Sequence, residues 1–155
     1  MIRYIKINKK NSKEAAKILR EHFSYVQEEE LKFFDDYSID SSLVDAENFY
    51  IEYDGQIAGI CGWYVPQVDP SAAWLSWLAI KPEFRRKGLA KHAIRHCNAR
   101  PTKKYWIDTF RVYTDVSNEA ARKLYEKLGY EEDCIFNTAV VYSKGKTKWG
   151  KEPVW

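Results

Sequence analysis

The sequence predicts a single mixed α/β domain, with helices packed on one central sheet. Apolar runs of strand-like alternation recur between segments of helical periodicity. An Asp54-Gly55 pair joins two such runs as a tight hairpin. The chain, at 155 residues, is long enough for one domain with a buried core.

Composition narrows the class. Six Trp and eleven Tyr imply an aromatic-rich core or pocket. No apolar run approaches the roughly 20 residues of a membrane span. The start, Met1-Ile-Arg-Tyr-Ile-Lys-Ile, lacks the apolar block of a signal peptide, so the expected location is cytoplasmic. Cys61, Cys97 and Cys134 are widely spaced with no Cys-x-x-Cys pair, which predicts reduced thiols and no metal site. A net charge of +3 is too small to imply nucleic-acid binding. Its distribution says more. Lys81, Arg85, Arg86, Lys87, Lys91, Arg95, Arg100, Lys103 and Lys104 stand against one acid, Glu83, whereas 28–54 is rich in Asp and Glu. One side of the molecule should prefer an anion and another a cation.

In order, Ile2 to Ile7 reads as a first strand. Asn11 with Glu14 three residues later marks a helix start, and Ala15, Ile18, Leu19, His22, Phe23 and Val26 follow at helical spacing. His22 on that face reads as a core histidine. Glu28 to Tyr37 reads as a second, acidic helix and Ser41 to Asp45 as loop. Asn48–Tyr53 and Gln56–Val65 form the hairpin, where Asp54-Gly55 supplies the positive φ angles of a two-residue turn. Gly59 and Gly62 within the second strand predict a bulge or the close approach of another backbone. After Pro66–Pro70 a strand runs from Trp74 to Ile80.

That strand breaks at Pro82 and passes through Arg85, Arg86, Lys87 and Gly88 into a helix buried along Leu89, Ala90, Ala93, Ile94 and Cys97. His92 and His96 lie four apart on it, without a carboxylate at a metal-site spacing, and read as surface residues. Tyr105–Thr114 reads as a strand. Asn118 opens a helix with Ala121, Leu124, Tyr125 and Leu128 on one face, ended by Gly129. Cys134–Tyr142 holds one long strand or two paired ones. The basic tail from Lys144 to Trp155 has no assignable structure. The tally is about six to seven strands and about four helices.

The strand–basic turn–helix junction has the parts of a phosphate site. The first N–H groups of a helix lack internal partners and favour an anion. Gly88 allows close backbone approach, and three cations add charge-assisted hydrogen bonds. Basic residues around one glycine are also common on solvated surfaces, so the turn by itself is only a hypothesis.

Two motifs occur in order. Arg85-x-x-Gly88-x-Ala90 lies at the strand-to-helix junction, and Asn118-x-x-Ala121-x-x-Leu124-Tyr125-x-x-x-Gly129-Tyr130 follows some thirty residues later. With the element order, they resemble the GNAT superfamily of acyl-CoA-dependent N-acetyltransferases, from Ile2 to Tyr142. The resemblance implies one GNAT-like domain over 1–155 with a mixed, mostly antiparallel sheet. It implies acetyl-CoA as co-substrate, its pyrophosphate held by backbone amides of Arg86, Lys87, Gly88, Leu89 and Ala90 with help from Arg85 and Lys87. The strand at Leu78, Ala79 and Ile80 would take the pantetheine arm as an added strand, and Asn118 would contact it from the far side. Tyr125 would be the catalytic residue beside the thioester sulfur. With a Tyr pKa near 10 and a thiol near 8.5, full proton transfer to the departing thiolate is uphill by roughly 2 kcal/mol. A hydrogen bond is therefore as plausible as complete donation.

The implied reaction is direct attack by a primary amine of a small molecule or peptide. Such an amine must first lose a proton. Many relatives place a Glu near the position of Ser76, where this chain has none. Glu47, Glu52, Asp69, Asp108 or a water chain could serve, and the sequence does not choose. The resemblance implies no metal, no nucleic acid and no membrane, and a homodimer because the family often dimerises. The competing readings are a non-catalytic acyl-CoA-binding sensor, suggested by the missing strand carboxylate, and a nucleic-acid-binding domain using the basic segment, whose binding would fall steeply with salt.

Overall fold

In the computed structural model, which describes residues 1–23 and 42–153, the Asp54-Gly55 turn sets the register of the sheet's first half. Both residues have positive φ, 49° and 82°, so Tyr53 pairs directly with Gln56. The elements are β1 (Ile2–Lys6), α1 (Lys13–His22), β2 (Leu43–Tyr53), β3 (Gln56–Pro66), β4 (Ala72–Ile80), a 3-10 turn (Pro82–Phe84), α2 (Leu89–Thr102), β5 (Thr109–Asp115), α3 (Glu119–Lys127), β6 (Glu131–Phe136) and β7 (Ala139–Gly145). One seven-stranded sheet has the order β1-β2-β3-β4-β5-β7-β6. Every neighbouring pair is antiparallel except β4 and β5. This is the expected mixed, mostly antiparallel sheet. Three α-helices lie among the described residues. The expected helix over Glu28–Tyr37 falls outside them.

Strand alternation sorts the core into two faces. Tyr50, Ile60 and Ala79 pack with Ala15, Ile18 and Leu19 of α1. Phe49, Ile51, Cys61, Trp63 and Leu75 point the other way, against Ala93, Ile94 and Cys97 of α2 and Tyr125 of α3. Leu19 is fully buried, and burying such a side chain contributes about 2 kcal/mol. The helices are thereby fixed on opposite faces, with α2 and α3 side by side.

Several expectations need correction. Asn11 does not cap α1. Its side chain accepts from the Asn8 amide and donates to the Lys6 carbonyl, closing a turn of its own, and the helix starts one residue after Ser12. β2 begins at Leu43, because 43–47 extend the pairing with β3 as far as Pro66. β5 begins only at Thr109. Tyr105 is instead held by the Pro101 carbonyl and by Asp45, to which its hydroxyl donates at 2.8 Å. Of the two alternatives for the last strand material, the paired one is found, with β6 and β7 antiparallel. The described part of the tail folds back onto its own domain: Asp133 accepts from the amides of Trp149 and Gly150, and the Trp149 ring meets Trp74 edge-on at 5.3 Å.

The histidines also differ from expectation. His96 is half-buried, stacked on Tyr4 at 3.8 Å and edge-on to Phe49, so it is no surface residue. His92 stays exposed, its Nδ1 bonded with the Tyr4 hydroxyl. His22 is not in the core but half-buried beside Arg85. Cys61 and Cys97 are free and buried, and Cys134 is free and half-buried.

Candidate active site

β4 and β5 pair only where Ala72, Ala73 and Trp74 face Thr109, Phe110 and Arg111. Since β4 continues to Ile80 and β5 to Asp115, the strands separate beyond Trp74 and a wedge opens in the sheet. Among the described residues, the edge of β4 facing the wedge has no strand partner from Leu75 to Ile80, so its polar backbone groups are available. Each arm of the wedge leads to a helix N-terminus. β4 runs through the basic turn into α2, and β5 runs through Asn118 into α3.

Within the wedge, Leu78, Ala79 and Ile80 lie on β4 just past a bulge. Ile60 pairs with Ala79 and Gly62 with Ser76, so Trp77 and Leu78 together oppose Cys61. Trp77 takes a positive φ of 35°, a strained conformation for a bulky residue. The two glycines of β3 meet the expectation of close approach. A Cβ on Gly59 would strike the Ala79 carbonyl, and one on Gly62 would strike the side chains of Asn48 and Ser76.

The basic turn is shaped by two positive φ angles, 64° at Arg86 and 74° at Gly88. A Cβ on Gly88 would meet nothing within 4 Å, so the conformation, rather than internal crowding, calls for glycine. The first i→i−4 bond of α2 runs from the His92 amide to the Gly88 carbonyl. The amides of Leu89, Ala90 and Lys91 precede it and have no intrahelical acceptor. Arg86 and Lys87 are exposed, while Arg85 donates to the Ile80 carbonyl at 3.3 Å and lies 3.3 Å from His22 Nε2. Burial and the Arg85 charge lower the His22 pKa, against the opposing pull of Glu21. These groups are compatible with a bound polyanion.

Across the wedge, Asn118 caps α3: its side-chain oxygen accepts from the Ala121 amide at 3.2 Å. That leaves its NH2 as the group open to a ligand. Tyr125, further along α3, is 6 % exposed, with its ring against Tyr130 and Tyr142. Burial pushes its hydroxyl pKa up, with Tyr130 adding to the effect. Its hydroxyl has no hydrogen-bond partner among the described residues.

The four carboxylates raised from the sequence as bases are otherwise engaged. Glu47 is bound by Arg100 and by the Trp63 indole. Asp69 accepts from Trp74 and Arg111 at the closed end of the wedge. Glu52 pairs with Arg3, and Asp108 accepts from Thr109. Ser76 instead sits in a buried row with Asn48 and Gly62. Sequence reading passed over Asn48 as the mere start of a hairpin. The glycine opposite it, Gly62, was the available signal. Among the described residues no three His, Cys, Asp or Glu side chains converge as metal ligands, and no helix is long and apolar enough to cross a membrane.

A sheet parted between two parallel strands, with a helix N-terminus beyond each, defines a class of protein. Residues 13–130 match the acetyltransferase (GNAT) family, and the chain belongs to it. No curated protein matches the sequence. Among solved structures, the chain resembles the PaiA N-acetyltransferase of Thermoplasma acidophilum in complex with coenzyme A, at 17% identity, over 94% of this chain and 99% of that one, with a TM-score of 0.73. It resembles the ribosomal-protein-S18-alanine N-acetyltransferase of Escherichia coli at 20% identity over 100% of both chains, TM-score 0.70. It also resembles the aminoglycoside acetyltransferase AAC(6')-Ib in complex with coenzyme A, at 14% identity over 94% and 95%, TM-score 0.75. At these identities the likeness is one of fold.

Proposed function

We propose that the chain, as one domain over 1–155, transfers an acetyl group from acetyl-CoA to a primary amine by direct attack in a ternary complex. The observation that carries this reading is the wedge between β4 and β5, flanked by the basic turn on one arm and by Asn118 and Tyr125 on the other. Two acetyltransferases of like fold, solved in complex with coenzyme A, add support.

In this reading the turn amides from Arg86 to Ala90, with the Arg85 and Lys87 side chains, hold the pyrophosphate. The open edge of β4 at Leu78, Ala79 and Ile80 hydrogen-bonds the pantetheine arm as an eighth strand would. The Asn118 NH2 holds the arm from the other side. Bound acetyl-CoA supplies an activated thioester carbonyl. A backbone N–H near Leu78 stabilises the oxyanion that forms when the amine attacks, an effect worth about 3 kcal/mol where such donors have been removed. Tyr125 faces the departing sulfur. Because burial raises its pKa, full proton transfer is still less favourable than for a free tyrosine. Its part is to donate a hydrogen bond to the thiolate.

A non-catalytic acyl-CoA-binding module has one observation in its favour: all four candidate carboxylates are bound to other groups. Calorimetry with acetyl-CoA, beside free-thiol release against a panel of amines, separates the two. Amine-dependent thiol release establishes the transferase, binding without release for any amine favours the module, and absence of binding overturns both.

A further inference from the structure

Asn48, Gly62 and Ser76 lie directly across β2, β3 and β4 from one another, on the face that carries α1. Asn48 is 1 % exposed and Ser76 is 8 % exposed. They touch because Gly62 has no side chain to separate them. The Ser76 hydroxyl approaches the Asn48 amide oxygen at 3.4 Å, a long hydrogen bond, and the Asn48 NH2 has no partner among the described residues. On one side of this polar row stand Tyr50, Ile60 and Ala79; on the other stand Ala46, Tyr64 and Trp74. Trp77 packs against both groups and so covers the row. Its indole N–H is also buried without a partner among the described residues.

Two donors are therefore buried and unpaired among the described residues beside the bulge, where desolvation without a hydrogen bond is unfavourable. Both are neutral, so the group that satisfies them must accept hydrogen bonds and need not be charged. The strained φ of Trp77 holds its ring at this place. The row lies inside the wedge near its closed end, since Ser76 and Trp77 are the second and third β4 residues past the last pairing with β5.

We infer that Asn48 and Trp77 form a subsite for a carbonyl oxygen on the acceptor, so that the preferred substrates are amines carrying an amide-type carbonyl near the nitrogen, as at a peptide end, rather than plain alkylamines. The assignment of this subsite to the acceptor rests on the acetyl-transfer reading.

Glycinamide and isobutylamine, which differ chiefly in the amide group, test it. In the presence of coenzyme A, the indole resonance of Trp77, identified by its loss in Trp77→Phe, should shift on adding glycinamide and not on adding isobutylamine. In thiol-release assays the ratio of kcat/KM for glycinamide to that for isobutylamine should fall on the order of tenfold in Asn48→Ala and in Trp77→Phe. The two amines differ in pKa, but that difference is the same for every variant, so the change in the ratio is the readout. Equal indole shifts with both amines, no shift with either, or a ratio unaltered by the substitutions would overturn the subsite. Failure of acetyl-CoA to bind would instead remove the transfer reaction, and the indole response would still decide whether the pair binds a carbonyl.

Discussion

Arg100, in the last turn of α2, grips Glu47 of β2 with two hydrogen bonds, Nε to Oε1 at 3.0 Å and Nη2 to Oε2 at 2.8 Å. The carboxylate is 3 % exposed and also accepts from the Trp63 indole at 3.1 Å. Burial works to raise its pKa, but Arg100, Lys6 and Trp63 outweigh burial and the net shift is downward. A carboxylate so held fastens α2 to the sheet and is a poor proton acceptor at neutral pH. Glu47→Gln should lower stability by about 3 kcal/mol in denaturant unfolding, because Arg100 is left without its counter-charge. Its depressed pKa means the stabilisation is full above the unfolded carboxylate pKa and lost as pH falls through the folded value, so Glu47→Gln should also flatten the acid limb of the stability curve. Loss of amine turnover in a folded Glu47→Gln protein, with acetyl-CoA binding intact, would instead make Glu47 the base.

Tyr125→Phe should cut amine-dependent thiol release by about 100-fold while leaving the calorimetric affinity for acetyl-CoA within about twofold. The ring stays to pack on Tyr130 and Tyr142, and only the hydroxyl is lost. An equal loss of affinity would show that the hydroxyl binds ground state and transition state alike.

At the basic turn, Gly88→Ala places a side chain on a residue with φ of 74°. The cost should be about 1 kcal/mol of stability, with a larger loss of acetyl-CoA affinity as the amides of Leu89 and Ala90 turn away. Arg86→Glu should weaken binding by at least tenfold, and more at low salt, without affecting unfolding. Isothermal titration at two ionic strengths reads both.

His96 gives the fold a second acid-sensitive element. Burial, then the nearby Arg100, lowers its pKa to about 4. The folded chain thus takes up this proton later than the unfolded chain does. Its contribution is full above the unfolded value of about 6.5 and declines as pH falls from there to about 4. Because the ring is only half-buried, solvent screening limits the effect to about 1–2 kcal/mol. Urea unfolding of wild type and His96→Gln between pH 7 and 4 should show the two curves converging as pH falls.

What could be read in advance was local. The hairpin, the helix opened by Asn118 and ended by Gly129, and the break at Pro82 each follow from a turn or cap that neighbouring residues specify. The two motifs led to the family for the same reason. What escaped depends on residues far apart in the chain. Tyr105 has the look of a strand residue but is drawn off by Asp45, and His96 is enclosed by Tyr4 and Phe49 from two other elements. Asn48 became notable only when the register set it against Gly62 and Ser76. Helical spacing put His22 on an apolar face, and only the path of the basic turn brought Arg85 to it.

The short parallel seam between β4 and β5 is crossed at its closed end by a group of side chains. Arg111 of β5 donates to Asp69 in the loop before β4, and also to Ser143 and to Thr147 in the tail. Trp149, two residues further along, lies against Trp74 of β4. The sheet is thus two plates, β1–β4 and β5–β7–β6, pinned at one corner and free at the other. Loosening that corner, as Asp69→Asn would by leaving Arg111 only Asp133, at 3.7 Å, as a counter-charge, should let the plates pivot and change the gape of the wedge some distance away. The width of the cleft is then governed from its closed end, at the opposite end of the wedge from the basic turn.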